Sequence, residues 1–266
     1  MHPTVDGPRF VCVSFPDAAN MSSPISELPL KSTLDDAGLN RQHVFALRQL
    51  PAELLEPLSV RVHERQLILF GHAGRRLWER VQAEGVRSAH PIDAYSVRTV
   101  ERWLAEAVPG TRYRFVYPTG LAEGRHVGLQ RLGTLAGWHH ASPFMVGIDA
   151  EWGSWFAYRA AILTDTDLPV SPAEDHGHPC KDCVAKPCIR ACPADALRSG
   201  SMDVQACRRQ RLLEDSPCAL GCLARQACPV GAEHRYEQSQ IRHSSAGSLG
   251  TIRRFVALSP DEPAPS

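Results

Sequence analysis

Hydrophobic positions repeat along this chain with two different periods, and the alternation between them predicts its elements. "HVFAL" (43–47), "QLILFG" (66–71) and "YRFVYP" (113–118) are short runs rich in apolar and aromatic residues, and they read as strands. "GRRLWERVQAEG" (74–85) places its apolar residues at helical spacing and stops at Gly85. The clearest helix opens at Pro91, a residue suited to a first turn, and repeats apolar side chains at Val97, Val100, Trp103, Leu104, Ala107 and Val108. Another helix is expected over 127–138, ending near Gly137. Two strands, "FMVGI" (144–148) and "WFAYRAAIL" (155–163), are expected around a turn at Glu151 to Gly153. Strands and helices interleaved in this way predict a layered α/β domain over 31–168 in a chain of overall α+β class.

The prolines and acids of 169–178 mark a linker, and 179–232 holds eight of the nine cysteines with few large apolar residues. That module must be organised by what its cysteines bind. Residues 233–258 read as a helical segment packing back on the first domain, 259–266 as a frayed tail, and 1–30 as an extension outside the fold. Cys12 lies in that extension, and Met21 is an alternative start. At 266 residues and zero formal charge, the chain has a core of ordinary size and no wholesale nucleic-acid footprint. The basic run "CRRQR" (207–211) reads as a solvated helix face. No apolar run reaches membrane-span length and no signal peptide opens the chain, so a cytoplasmic location is expected. Glycine-rich phosphate loops and a Gly-x-Ser-x-Gly elbow are missing, which removes the usual anchors of hydride, kinase and esterase chemistry.

The cysteines are Cys180, Cys183, Cys188 and Cys192 before Pro193, then Cys207, Cys218, Cys222 and Cys228 before Pro229. In bacterial two-cluster ferredoxins three close cysteines hold one [4Fe–4S] cube, while the fourth, before a proline, reaches across to the other. On that pattern Cys180, Cys183, Cys188 and Cys228 hold one cluster, and Cys192, Cys207, Cys218 and Cys222 hold the second. The spacing departs from the usual run, with four residues between Cys183 and Cys188 where two are common. Zinc is the alternative, because four thiolates satisfy a tetrahedral ion; a cytosolic disulfide framework of this density is not expected.

"LAGWHHASPFMVGIDAEWGSWFAYRAAILTD", followed by the two Cys-Pro motifs, resembles epoxyqueuosine reductase and, more distantly, the reductive dehalogenases. "HPIDAYSVRTVERW", "DAEWGSWFAYRAAIL" and "EHRYEQSQI" resemble segments of the CblC-type cobalamin-processing proteins. The resemblance spans roughly 66–242 and implies a nitroreductase-derived, cobalamin-binding-type domain followed by a ferredoxin-like module with two [4Fe–4S] clusters. It implies an iron–sulfur oxidoreductase whose clusters feed electrons to a bound corrinoid, in cobalamin processing or in reduction of a small substrate. Gly153, Trp155, Phe156 and Arg159 would then hold the corrinoid, with the glycine admitting a flat macrocycle to the backbone. Asp93 is the candidate catalytic residue, although an aspartate in a helix's first turn also serves the helix dipole. His139 and His140 are not expected to ligate metal. A non-catalytic ferredoxin-type carrier, or a flavin (FMN) reductase on the same fold, is the alternative. A flavodoxin, ferredoxin or reductase is the expected electron donor. A tRNA substrate is not expected, given the neutral charge and the absence of the helical-repeat region of epoxyqueuosine reductase.

Overall fold

The structure is a computed structural model, and it describes residues 28–174, 176–198 and 201–258. The expected extension up to residue 27, with Cys12 and Met21, and the expected frayed tail from 259 lie outside the described residues. In chain order the elements are α1 (Lys31–Asp36), β1 (Arg41–Ala46), α2 (Ala52–Leu55), β2 (Gln66–Ala73), α3 (Arg76–Ala83), α4 (Pro91–Ala107), β3 (Tyr113–Tyr117), α5 (Leu129–Leu135) and β4 (Phe156–Thr164). The cysteine module adds α6 (Pro179–Asp182), α7 (Pro187–Arg190), α8 (Val204–Leu212) and α9 (Leu223–Gln226), and α10 (Gln238–Leu258) closes the described chain.

The four strands form one antiparallel sheet in the order β1-β2-β4-β3. Alternation along each strand sends side chains to two separate cores. Val44, Ile68, Phe70 and Ile162 pack with Leu34 of α1, Leu77 of α3 and Val100 and Trp103 of α4. On the other face, Phe45, Leu67, Leu69 and Leu163 pack with Leu54 of α2, Leu132 of α5 and Trp138. Covered on both faces, β2 is buried at every position, which is why its sequence is a continuous apolar run rather than an alternating one. α4 follows its sequence pattern, with Pro91 in the first turn and Ile92, Tyr95, Val100, Trp103 and Leu104 buried.

"FMVGI" does not form the expected strand. Residues 144–148 make a loop with a single bridge, His140 to Ile148, and Met145 takes a left-handed φ of 61°. Phe144 and Ile148 leave the sheet and enter an apolar cluster with Cys188, Leu197, Ala224 and Cys228. The apolar pattern of this segment serves the cysteine module, which no local periodicity reveals. The following turn is tied by Asp149, whose Oδ1 accepts from the Glu151 and Trp152 amides at 2.9 Å each.

The proline-rich linker is irregular but bonded along its length. Ser171 exchanges bonds with Val44. Glu174 accepts from Arg41 at 3.0 Å and from Trp138 Nε1 at 3.2 Å. Arg41 also reaches the buried Asp149 at 3.2 Å, so one guanidinium joins sheet, loop and linker. α10 packs on the first domain through Ser239, whose Oγ accepts from Trp78 Nε1 at 2.9 Å.

Two buried histidines make stability pH-dependent. Burial first, then Arg41, lowers the pKa of His43 from 6.5 to about 4; burial, then Arg159 and Arg225, lowers that of His72 well below 6.5. Both stay neutral in the fold, whereas in the unfolded chain they take up protons as pH falls through 6.5. The stability they contribute is therefore complete above pH 6.5 and declines from there toward pH 4, with a limiting slope of about 1.4 kcal/mol per pH unit for each group. Thermal unfolding at pH 7.5 and 5.0 checks this, with a lower midpoint expected at pH 5.0.

Candidate metal centres and substrate cavity

Four short helices fold the cysteine module, two of them, α6 and α7, opening on a proline. His178 caps α6, its Nδ1 accepting from the Cys180 amide at 3.3 Å. Asp203 caps α8, its carboxylate accepting from Ala206 N at 2.9 Å. Cys222 occupies the N-cap of α9. The eight thiols carried by these turns are all free of disulfides. Burial pushes the Cys180 thiol up to about 11, and Cys228, Cys188 and Cys183 add to the rise while Lys186 opposes it. The Cys207 thiol is raised by burial, then by Cys222, Cys192 and Cys218 against Arg211. Cys218 is raised by burial and by Cys222 and Cys192. Cys192, Cys207, Cys218 and Cys222 moreover line one cavity of about 280 Å³ together with Tyr236 and Arg211. Cys180, Cys188 and Cys228 lie in the apolar cluster around Phe144 and Ile148, which also touches Cys192 and Cys222, so both groups share one jacket. Among the described residues no three His, Cys, Asp or Glu side chains form the compact set that a single metal ion takes.

In the first domain, Asp93, Tyr117 and Arg159 line a cavity of about 710 Å³, with His90, His243 and Arg254 on its other walls. Tyr117 and Arg159 also line an adjoining cavity of about 360 Å³, alongside Phe156, Tyr158 and Val146. Pairing of β3 with β4 ends at Tyr117 opposite Ala161, which leaves Phe156 to Arg159 as an open sheet edge beside this second cavity. Burial raises the Tyr117 pKa, Arg159 opposes the rise and Asp93 adds to it. The second cysteine cavity touches both spaces, sharing Val146 with one and Ser244 with the other.

His72 sets the position of Arg159. The Arg159 Nε–H donates to His72 Nδ1 at 2.9 Å, so the proton of the neutral, fully buried imidazole sits on Nε2. Nε2 faces the Gln240 amide of α10 at 3.4 Å, and the otherwise unpartnered Gln240 oxygen accepts from it once that amide is turned. Tyr236 stacks on the imidazole at 5.4 Å. Arg225 sits 4.4 Å over Trp155 and 5.1 Å from Tyr236, and its Nε donates to Ser154 Oγ at 3.2 Å. Replacing Arg225 by methionine is expected to destabilise the fold by about 1–3 kcal/mol, through the lost cation–π contact and the unpaired Ser154 groups; urea unfolding at neutral pH measures it.

Two of the expected corrinoid residues do other work. A side chain on Gly153 would meet the Val230 carbonyl oxygen at 2.0 Å, so the chain just after Cys228-Pro229 packs directly against this glycine. Trp155 is fully buried against Tyr236 and Ile241 and lines neither cavity of the first domain. Phe156 and Arg159 do border the cavities, as does Asp93. Tyr117, His72 and Tyr236 escaped the sequence reading. His72 had one signal, a lone ionisable residue in the apolar run of β2.

No family model matches this chain, and no curated protein matches it. Among solved structures, epoxyqueuosine reductase from Streptococcus thermophilus is similar at 13% identity and a TM-score of 0.46, over 76% of this chain and 65% of that one. Epoxyqueuosine reductase in complex with a tRNA-Tyr stem loop gives 14% and 0.49, over 79% and 66%. A catabolic reductive dehalogenase gives 13% and 0.45, over 84% of this chain and 34% of its own. The chain thus spans about two thirds of the reductases' length and one third of the dehalogenase's. Likenesses at this level assign the chain to no family.

Proposed function

We propose that this protein is an iron–sulfur oxidoreductase. One [4Fe–4S] cluster is held by Cys180, Cys183, Cys188 and Cys228, the second by Cys192, Cys207, Cys218 and Cys222, and single electrons pass to a ligand beside Arg159. The observation that carries this reading is the single cavity lined by all four thiols of the second group. The first group rests on the mutual electrostatics of its thiols. Eight crowded thiols, several raised by burial, are costly to ionise in an apolar jacket; binding as thiolates to iron removes that cost and releases their protons.

A corrinoid suits the first domain only away from Gly153. The open edge at Phe156 to Arg159 would offer backbone groups to its amide rim, and Arg159 and Tyr117 would flank it. When bound, a corrinoid supplies a cobalt centre that exchanges single electrons. Tyr117, with its raised pKa, keeps its hydroxyl proton at neutral pH, and Asp93 lines the same cavity. Arg159, pinned by His72, offers a fixed positive charge to an anionic or amide-bearing ligand.

Anaerobic purification should yield about eight iron and eight acid-labile sulfide per chain, with broad visible absorbance bleached by reductant. Stoichiometric zinc without sulfide ends the reading. For the first domain, added cobalamin should shift toward its base-off spectrum, and Arg159→Leu should weaken binding about tenfold or more. Failure of cobalamin to bind the reduced, cluster-loaded protein would leave a ferredoxin-type carrier as the function.

A further inference from the structure

We infer that the segment from Lys181 to Lys186, at the rim of the first cysteine group, is the docking surface for an acidic one-electron carrier protein. This rests on the two-cluster reading and adds where electrons enter. The chain has 29 basic side chains but only three lysines, and two of them, Lys181 in α6 and Lys186 before α7, stand in this one segment. Both are exposed. Between them Val184 is 95% exposed, directly after Cys183. Arg190, one turn on, adds positive charge, and Asp182 is the one acidic side chain within 180–192, so the segment is net positive in a chain that is neutral overall. An apolar tip ringed by flexible cations is what a transient, electrostatically steered contact uses: long-range attraction speeds the encounter and a small apolar contact seats it.

The segment also lies at the proper end of the molecule. Lys181 directly follows Cys180, Val184 follows Cys183 and Lys186 stands two residues before Cys188, so a partner seated there reaches the first group directly. None of residues 181–187 lines the Arg159 cavities, whereas the second group's cavity shares walls with both. Electrons arriving at this segment would pass from the first group to the second and then to the cavity. Each transfer oxidises the carrier by one electron and reduces one cluster by one; no bond or proton moves.

The test mixes the anaerobic holoprotein with a reduced acidic [2Fe–2S] ferredoxin of the plant type and follows cluster bleaching by stopped flow. Photogenerated 5-deazariboflavin radical serves as a small uncharged reductant for comparison. Wild-type reduction by ferredoxin should slow steeply with added salt, and Lys181→Glu with Val184→Asp should slow it about tenfold or more at low ionic strength. Reduction by the deazaflavin radical should not change. An unchanged ferredoxin rate in the double variant overturns the proposal, as does equal slowing with both reductants, which would place the defect at the cluster. The spectrum before mixing reports separately on the two-cluster reading: a wild-type protein without cluster absorbance overturns that reading and this one with it.

Discussion

Replacing Cys192 by serine should remove about half of the iron and sulfide and leave the first cluster spectroscopically intact. Cys192 follows Cys188 closely in sequence, yet it lines a cavity with Cys207, Cys218 and Cys222. Cys228, 40 residues after Cys188, raises the Cys188 thiol from across the module. Cys228→Ser should therefore remove the other half. The decisive comparison uses pairs. Cys192→Ser with Cys222→Ser should lose no more than either alone, because both changes strike one cluster, whereas Cys192→Ser with Cys228→Ser should lose both. Iron and sulfide assays with electron paramagnetic resonance of the reduced protein read the result. A sequential pairing, with Cys192 grouped with Cys180, Cys183 and Cys188, would interchange the outcomes for Cys192 and Cys228.

Substituting Gly153, even by alanine, should destabilise the protein by more than about 3 kcal/mol, because two causes act together. Its φ of 59° disfavours any side chain, and a Cβ would lie 2.0 Å from the Val230 carbonyl. Gly231 is its counterpart: there φ is 61°, and a Cβ would meet the Trp152 carbonyl carbon at 2.4 Å. The two glycines let the turn before β4 and the chain after Cys228 lie backbone to backbone. Displacing that chain should also draw Cys228 from the first group, so Gly153→Val should lose about half its iron along with its stability. A Gly153→Ala protein with wild-type unfolding temperature and full cluster content would show that this contact does not hold the module in place.

Much of the fold was legible because its signals are local. Pro91 and the apolar positions of α4 lie within five turns of one helix, and the run "QLILF" carries its own burial. The segment "FMVGI" misled because apolarity records that a residue will be buried, not what will bury it. Phe144 and Ile148 go to the cysteines, between 32 and 84 residues downstream. Gly153 carries the same lesson about close approach. A glycine signals close approach without naming the approaching group, and here the Val230 carbonyl is one such group.

The sequence by itself determined the strands and helices with strong periodicity, the cysteine module with its two Cys-Pro steps, and the candidacy of Asp93 and Arg159. The elements and the cysteine module depend on residue type and on spacing within a few turns, whereas Asp93 and Arg159 became candidates through the resemblance. Only the tertiary structure decided that Cys192 and Cys222 line one cavity, that Tyr117, Asp93 and Arg159 line another, and that His72 holds that arginine with Gln240 on its far side. Such pairings span 24 to 168 residues, and they are chosen by how two sheet faces and a returning helix pack, which no short window of sequence encodes.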